Sequence, residues 1–168
     1  MGGGRKNFQT VADEGVREDK DLLKEFREAG GTVLQTLSDL QSWDYSDNTL
    51  GLFSSSHMEW EMVRRKMKEE EMEPSLTEMT RQAITKLSQS ESGFLLVVEG
   101  GRIDHAHHVN KAKKALEETL ELERAVEDAV SLTRREETLN IVTADDSHAI
   151  TMNGNPELPE RGNPQHGF

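Results

Sequence analysis

Cysteine is absent from the 168 residues, which excludes a disulfide framework and any thiolate metal site. A metal held by this chain needs oxygen and imidazole ligands. No apolar run approaches the roughly 18 residues of a membrane span, and MGGGRKNF lacks the apolar core of a signal peptide, so no targeting signal is legible. Basic residues are outnumbered, 20 Lys and Arg against 32 Asp and Glu, for a net charge of -12. Phosphate backbones and anionic headgroups reward Lys and Arg, so neither nucleic acid nor an acidic membrane is an expected partner. A cation can still bridge an acidic protein to a phosphate. Hydrophobic residues make up 33% and charged residues 31%; that balance is low for a self-sufficient globule and points to part of a larger protein. Length alone gives one domain as the default.

What is present reads as an α/β chain. Residues 18–29 (EDKDLLKEFREA) space Leu22, Leu23 and Phe26 for a helix that Gly30 and Gly31 stop. Short strands are expected at 32–34 and 50–53, with a polar helix near 38–42 between them. The run 54–73 is densely charged without a clean period and reads as a solvated surface insertion. Ser75 with Glu78 three residues on has the spacing of a capping box, and Leu76, Met79, Ala83, Ile84 and Leu87 make the apolar face of the helix that follows. FLLVV at 94–98 and LNIVT at 139–143 are apolar on both faces, the pattern of parallel strands buried on both sides. Between them Ala115, Leu116, Leu122, Ala125, Val126, Ala129 and Val130 define an amphipathic helix from about 109 to 132. Strand, helix, strand implies a βαβ unit and a mostly parallel sheet flanked by helices. Residues 151–168, with three prolines and three glycines, make a loop-rich end.

Ligands of open α/β sheets gather at the carboxyl ends of strands. Both apolar strands deliver acids there, Glu99 after FLLVV and Asp145 with Asp146 after NIVTA. Asp104 and His108 are four apart, so on a helix they point to one side, a carboxylate and an imidazole suited to zinc. His105 and His107 point elsewhere. Taken singly, each feature has an ordinary reading. The Asp104–His108 spacing suits a surface polar pair, Glu99 a helix cap, and Asp145-Asp146-Ser147 an N-cap cluster. Taken together they point to a metal site.

VEGGRIDHAHH at 98–108, followed by TLNIVTADDSH at 138–148, resembles the alkaline phosphatase family, whose characteristic segments are EGGRIDHGHH and TADHSH in that order. The resemblance extends to GGGRK at 2–6, LGLF at 50–53, EPSLTEMT at 73–80, SLT and ETL around the end of the long helix, and RGN at 161–163. It implies one partial alkaline phosphatase domain over 1–168 and hydrolysis of phosphate monoesters with zinc and magnesium as cofactors. Glu99 matches a magnesium ligand, Asp104 and His108 match ligands of the first zinc, and Asp145 matches a ligand of the second. Asp146 stands where the family has a histidine zinc ligand; its shorter reach and negative charge weaken or reshape that position. His148 matches the last histidine of TADHSH, which supports ligands without binding metal directly. Phe53 and Glu73 fit a calcium site of vertebrate members, whereas Ser54 replaces an acid of it.

The same resemblance places the serine nucleophile, the aspartate bridging zinc and magnesium, and the phosphate-clamping arginine upstream of GGGRK, and a further histidine ligand downstream of RGN. The chain alone is therefore expected to be inactive, the central segment of a phosphatase. A homodimer and an extracellular or outer-surface location with a lipid anchor are further implications of the family. The alternative is a non-catalytic relative serving as a metal-binding or interaction module, which Asp146 favours.

Overall fold

The computed structural model describes residues 1–45, 48–68 and 71–144; Asp145, Asp146, His148 and the loop-rich end lie outside the described residues. Helix α1 spans Leu22–Glu28, shorter than its periodicity suggested, because Asp21 takes the N-cap position and accepts from the backbone N–H groups of Leu23 and Lys24. Gly30 then turns the chain at φ 87, a left-handed conformation that costs glycine nothing. Strand β1 (Thr32–Leu34), helix α2 (Leu37–Gln41) and strand β2 (Thr49–Gly51) follow. Thr36 and Asp39 close a capping box over α2. The strands pair in parallel, Thr32 opposite Thr49 through Leu34 opposite Gly51. On the other edge of β2, the Gly2 N–H donates to the Gly51 carbonyl and the Phe53 N–H donates to the Gly2 carbonyl. The glycine-rich segment is thus sewn to the sheet, and a side chain on Gly3 would run into the Ser56 backbone. Leu34, Leu40 and Phe53 form the buried cluster beneath, with Trp43, Met58 and Met79 against it.

Among the described residues, four α-helices build the rest: α3 (Glu61–Arg64), α4 (Leu76–Leu87), α5 (Arg102–His108) and α6 (Ala112–Leu132). Ser75 and Glu78 form the expected capping box on α4. α6 packs against α3, α4 and α5, and the row that it buries is Ala115, Glu118, Glu121 and Ala125, half of it acidic. The two glutamates are buried because they serve other helices. Glu118 accepts the N–H of Glu61 at 2.7 Å and Glu121 the N–H of Thr77 at 2.9 Å. Those donors lie in the first turns of α3 and α4, where backbone N–H groups have no partner within their own helix. Two residues expected on the apolar face, Leu116 and Val130, are instead more than half exposed.

Two expectations are corrected. Segments 94–98 and 139–143 form no strands among the described residues, and Leu95, Val97, Leu139 and Ile141 are each more than three-quarters exposed. A strand buried on both faces needs ladder partners and a layer on each side; here neither segment has a described strand beside it. Val142 nonetheless lies along α6, where it lines a groove with Leu122, Val126 and Val130. The parallel pair of the α/β architecture is β1 with β2. Secondly, the charged run carries structure of its own. Glu61 is only 4% exposed and accepts from Arg64 Nε at 2.6 Å and Arg65 Nε at 2.7 Å, so the run is not solvated throughout. No helix among the described residues is long and apolar enough to cross a membrane.

Candidate metal centre

EGGRIDHAHH folds into an entry turn and α5, a helix separate from α6. Asn110, at φ 52, turns the chain between them. Gly100 and Gly101 let the entry turn pack closely. A side chain at Gly100 would press on Ile103 and on Leu122 of α6, and one at Gly101 would lie 3.0 Å from Glu99 Oε1. The Glu99 carboxylate is folded back over the start of α5, although Gly101, the N-cap residue, receives no side-chain cap.

Asp104 and His108 share one side of α5, as their spacing required. Asp104 Oδ1 lies 3.3 Å from His108 Nε2, and both side chains are about half exposed. An anionic oxygen and an imidazole nitrogen this close and open to solvent fit two positions of a zinc coordination sphere. His105 turns to another side. Its Nδ1 lies 3.2 Å from an Arg102 guanidinium nitrogen, and its ring centroid 4.4 Å from that of His57. Partial burial, then His57 and Arg102, push the His105 pKa below its ordinary value. A cleft of about 710 Å³ gathers Glu99, Arg102, His105 and His57 but neither Asp104 nor His108. Among the described residues no three His, Asp or Glu side chains converge on a position for a metal ion.

Several residues around the centre were not singled out from the sequence. Arg102 stacks over Trp60 at 3.5 Å from the ring centroid, and Lys114 lies 4.2 Å from the same ring. Glu118 and Glu121 line the same cleft. Burial pushes Glu118 above the ordinary carboxylate range. Burial also acts to raise Glu121, but its hydrogen bonds from Thr77 and Arg124 outweigh that and hold it low. A helical-wheel reading gives one signal for the pair: Glu118 and Glu121 fall on the row of Ala115 and Ala125, acids placed where a core face should be.

These features define an α/β chain with metal-type donors on a short helix that follows an apolar segment. A family model described as alkaline phosphatase matches residues 1–165, and the chain belongs to the alkaline phosphatase family. It is 40% identical to the membrane-bound alkaline phosphatase of Bombyx mori, over 92% of this chain and 30% of that protein. With the tissue-nonspecific isozyme of Homo sapiens it shares 49% identity over 64% of this chain and 20% of the relative. Its structure resembles that of Thermus thermophilus alkaline phosphatase with a TM-score of 0.68 at 34% identity, covering 77% of this chain and 26% of the other. The cold-active enzyme of Shewanella sp. gives a TM-score of 0.61 at 30% identity, over 78% and 29%. The chain thus spans between a fifth and a third of the length of these relatives.

Proposed function

We propose that this chain is the central segment of a zinc- and magnesium-dependent phosphomonoesterase. The observation that carries the reading is the Asp104–His108 pair, a carboxylate oxygen and an imidazole nitrogen 3.3 Å apart on the exposed side of α5 in a chain of the alkaline phosphatase family. Asp104 and His108 would hold the first zinc, Glu99 the magnesium, and Asp145 with Asp146 the second zinc, with His148 supporting them. Bound zinc and magnesium would supply charge stabilisation at the phosphoryl group and lower the pKa of the attacking hydroxyl or water. The chain's own share is to orient those donors. Glu99 leans over the start of α5, where its negative charge meets the positive end of the helix dipole. Asp104 and His108 keep a fixed spacing because one helical turn separates them.

The reading puts the serine nucleophile outside these 168 residues, so the substrates are phosphate monoesters only for a chain that carries it. A homodimer and a location at the outer cell surface, with a lipid anchor, belong to the same proposal. The test is zinc binding to the chain itself, by competition with a chromogenic zinc indicator. Replacing Asp104 and His108 together by alanine should abolish the tightest site. Undiminished zinc binding in that double variant, with loss in His105→Ala, overturns the assignment. Turnover of a chromogenic phosphate ester that co-purifies with the chain would refute the missing nucleophile. Asp146, an acid at a family histidine position, favours a second reading as a non-catalytic metal-binding or interaction module. Asp146→His separates the two. A gain in zinc stoichiometry supports a catalytic ancestry lost at one ligand, and no gain supports the module.

A further inference from the structure

α5 has seven residues and no side-chain cap at its N-terminus. Two turns of helix have little stability of their own, so the direction in which Asp104 and His108 point is fixed by whatever grips the helix from behind. That grip is visible. Ala106 is fully buried, and the first turn is held through Arg102, whose guanidinium lies against Trp60 at 3.5 Å from the ring centroid. Arg102 Nε is buried with no hydrogen-bond partner. The ring thus stands against a cation whose Nε has left water without gaining a hydrogen bond, and such desolvation strengthens cation–π attraction. Another nitrogen of the same guanidinium reaches His105 Nδ1, which links the grip to the residue next to Asp104. Lys114 approaches the same ring from α6. Trp60 belongs to the charged run, far from α5 in sequence.

We propose that Trp60 is a positioning residue for the metal-binding face of α5: its ring, engaged by Arg102 and Lys114, sets the orientation in which Asp104 and His108 are presented. The proposal rests on the reading of that pair as zinc ligands, and its test is arranged so that either can fail alone. Trp60→Leu keeps bulk and apolarity but removes the ring, whereas Trp60→Tyr keeps a ring face. In the full 168-residue chain, Trp60→Leu should weaken zinc binding about ten-fold, the lower end of the loss when a supporting partner of a metal ligand is removed. Trp60→Tyr should bind as the parent does. Amide hydrogen exchange in α5 should accelerate in Trp60→Leu alone, with exchange in α4 unchanged in all three proteins. Parental zinc affinity and parental α5 exchange in Trp60→Leu, or a Trp60→Tyr variant as impaired as Trp60→Leu, overturns the proposal. If the Asp104→Ala, His108→Ala double variant keeps its zinc, the metal assignment fails instead. The α5 exchange rates then decide the positioning role by themselves.

Discussion

Replacing Glu121 by alanine removes the acceptor of three hydrogen bonds: the Thr77 N–H at 2.9 Å, the Thr77 hydroxyl at 2.7 Å and Arg124 Nε at 2.9 Å. The three losses are unequal. Arg124 is 40% exposed and can turn to water, and the Thr77 hydroxyl can rotate. The Thr77 N–H points from the first turn of α4 toward a carboxylate that is 5% exposed, and truncation leaves it without that acceptor. An orphaned buried donor costs about 1–3 kcal/mol, and the lost interaction of a charge with the helix dipole adds about 0.3–1 kcal/mol. Glu121→Ala should therefore destabilise by roughly 1–4 kcal/mol at neutral pH, a sizeable share of the 5–15 kcal/mol typical of a folded domain. Glu121→Gln keeps an acceptor for Thr77 and should lose only about 1 kcal/mol, the contribution of the charge. That contribution has a pH signature. The Thr77 and Arg124 hydrogen bonds hold the Glu121 pKa below its ordinary value despite burial. Its charge therefore stabilises the fold above the unfolded value, near 4.3, and ceases to do so as pH falls through the lower folded value. Urea unfolding monitored by tryptophan fluorescence measures both effects. A cost below about 1 kcal/mol for Glu121→Ala, or a Glu121→Gln deficit that does not shrink as pH is lowered from neutrality past the glutamate range, would refute the capping role.

Glu118→Gln should behave oppositely. Burial holds the Glu118 pKa high, so its ionisation penalises the fold as pH rises past the unfolded value. The glutamine variant, which can still accept the Glu61 N–H, should match or exceed the parent at neutral pH in the same urea titrations and converge with it in acid. Ser75→Ala removes the side chain that accepts the Glu78 N–H at 3.0 Å and should cost about 1 kcal/mol, read as a shift of the urea midpoint with unchanged slope. Leu95→Thr with Val97→Thr replaces two exposed apolar side chains. It should raise the concentration at which light scattering detects association and leave the urea midpoint in place.

Local chemistry was legible in the sequence wherever it is self-contained. The Ser75–Glu78 capping box needs only residues three apart, and it formed. The Asp104–His108 proximity needs only one helical turn, and it formed too. Short strands at 32–34 and near 50–53 were legible from their glycine and turn boundaries. Features that need a distant partner were not legible. The two-sided apolarity of 94–98 and 139–143 registers a demand for neighbours, and no described strand meets it, so the segments lie open. Glu61 reads as one acid among many in a charged run: Arg64 and Arg65 stand at helical spacing from it, but nothing local announces that α6 will close over it. Trp60 and Arg102, 42 positions apart, carry no joint signal in one sequence. Of the residues proposed for the metal site, Glu99, Asp104 and His108 lie in the described residues, and Asp145, Asp146 and the supporting His148 do not.

The carboxylates of α6 that close the first turns of α3 and α4 also set an order of assembly. α3 has four residues, too few to persist alone, and the Glu61 N–H finds its acceptor 57 positions along the chain. Such a helix cannot act as a nucleus: it condenses after α6 has formed and docked, when the entropy of closing that long loop has already been lost. The region around Glu61 therefore belongs to the late, native side of the folding barrier. Perturbing it changes how long the folded chain lasts and leaves the rate of reaching that state almost untouched.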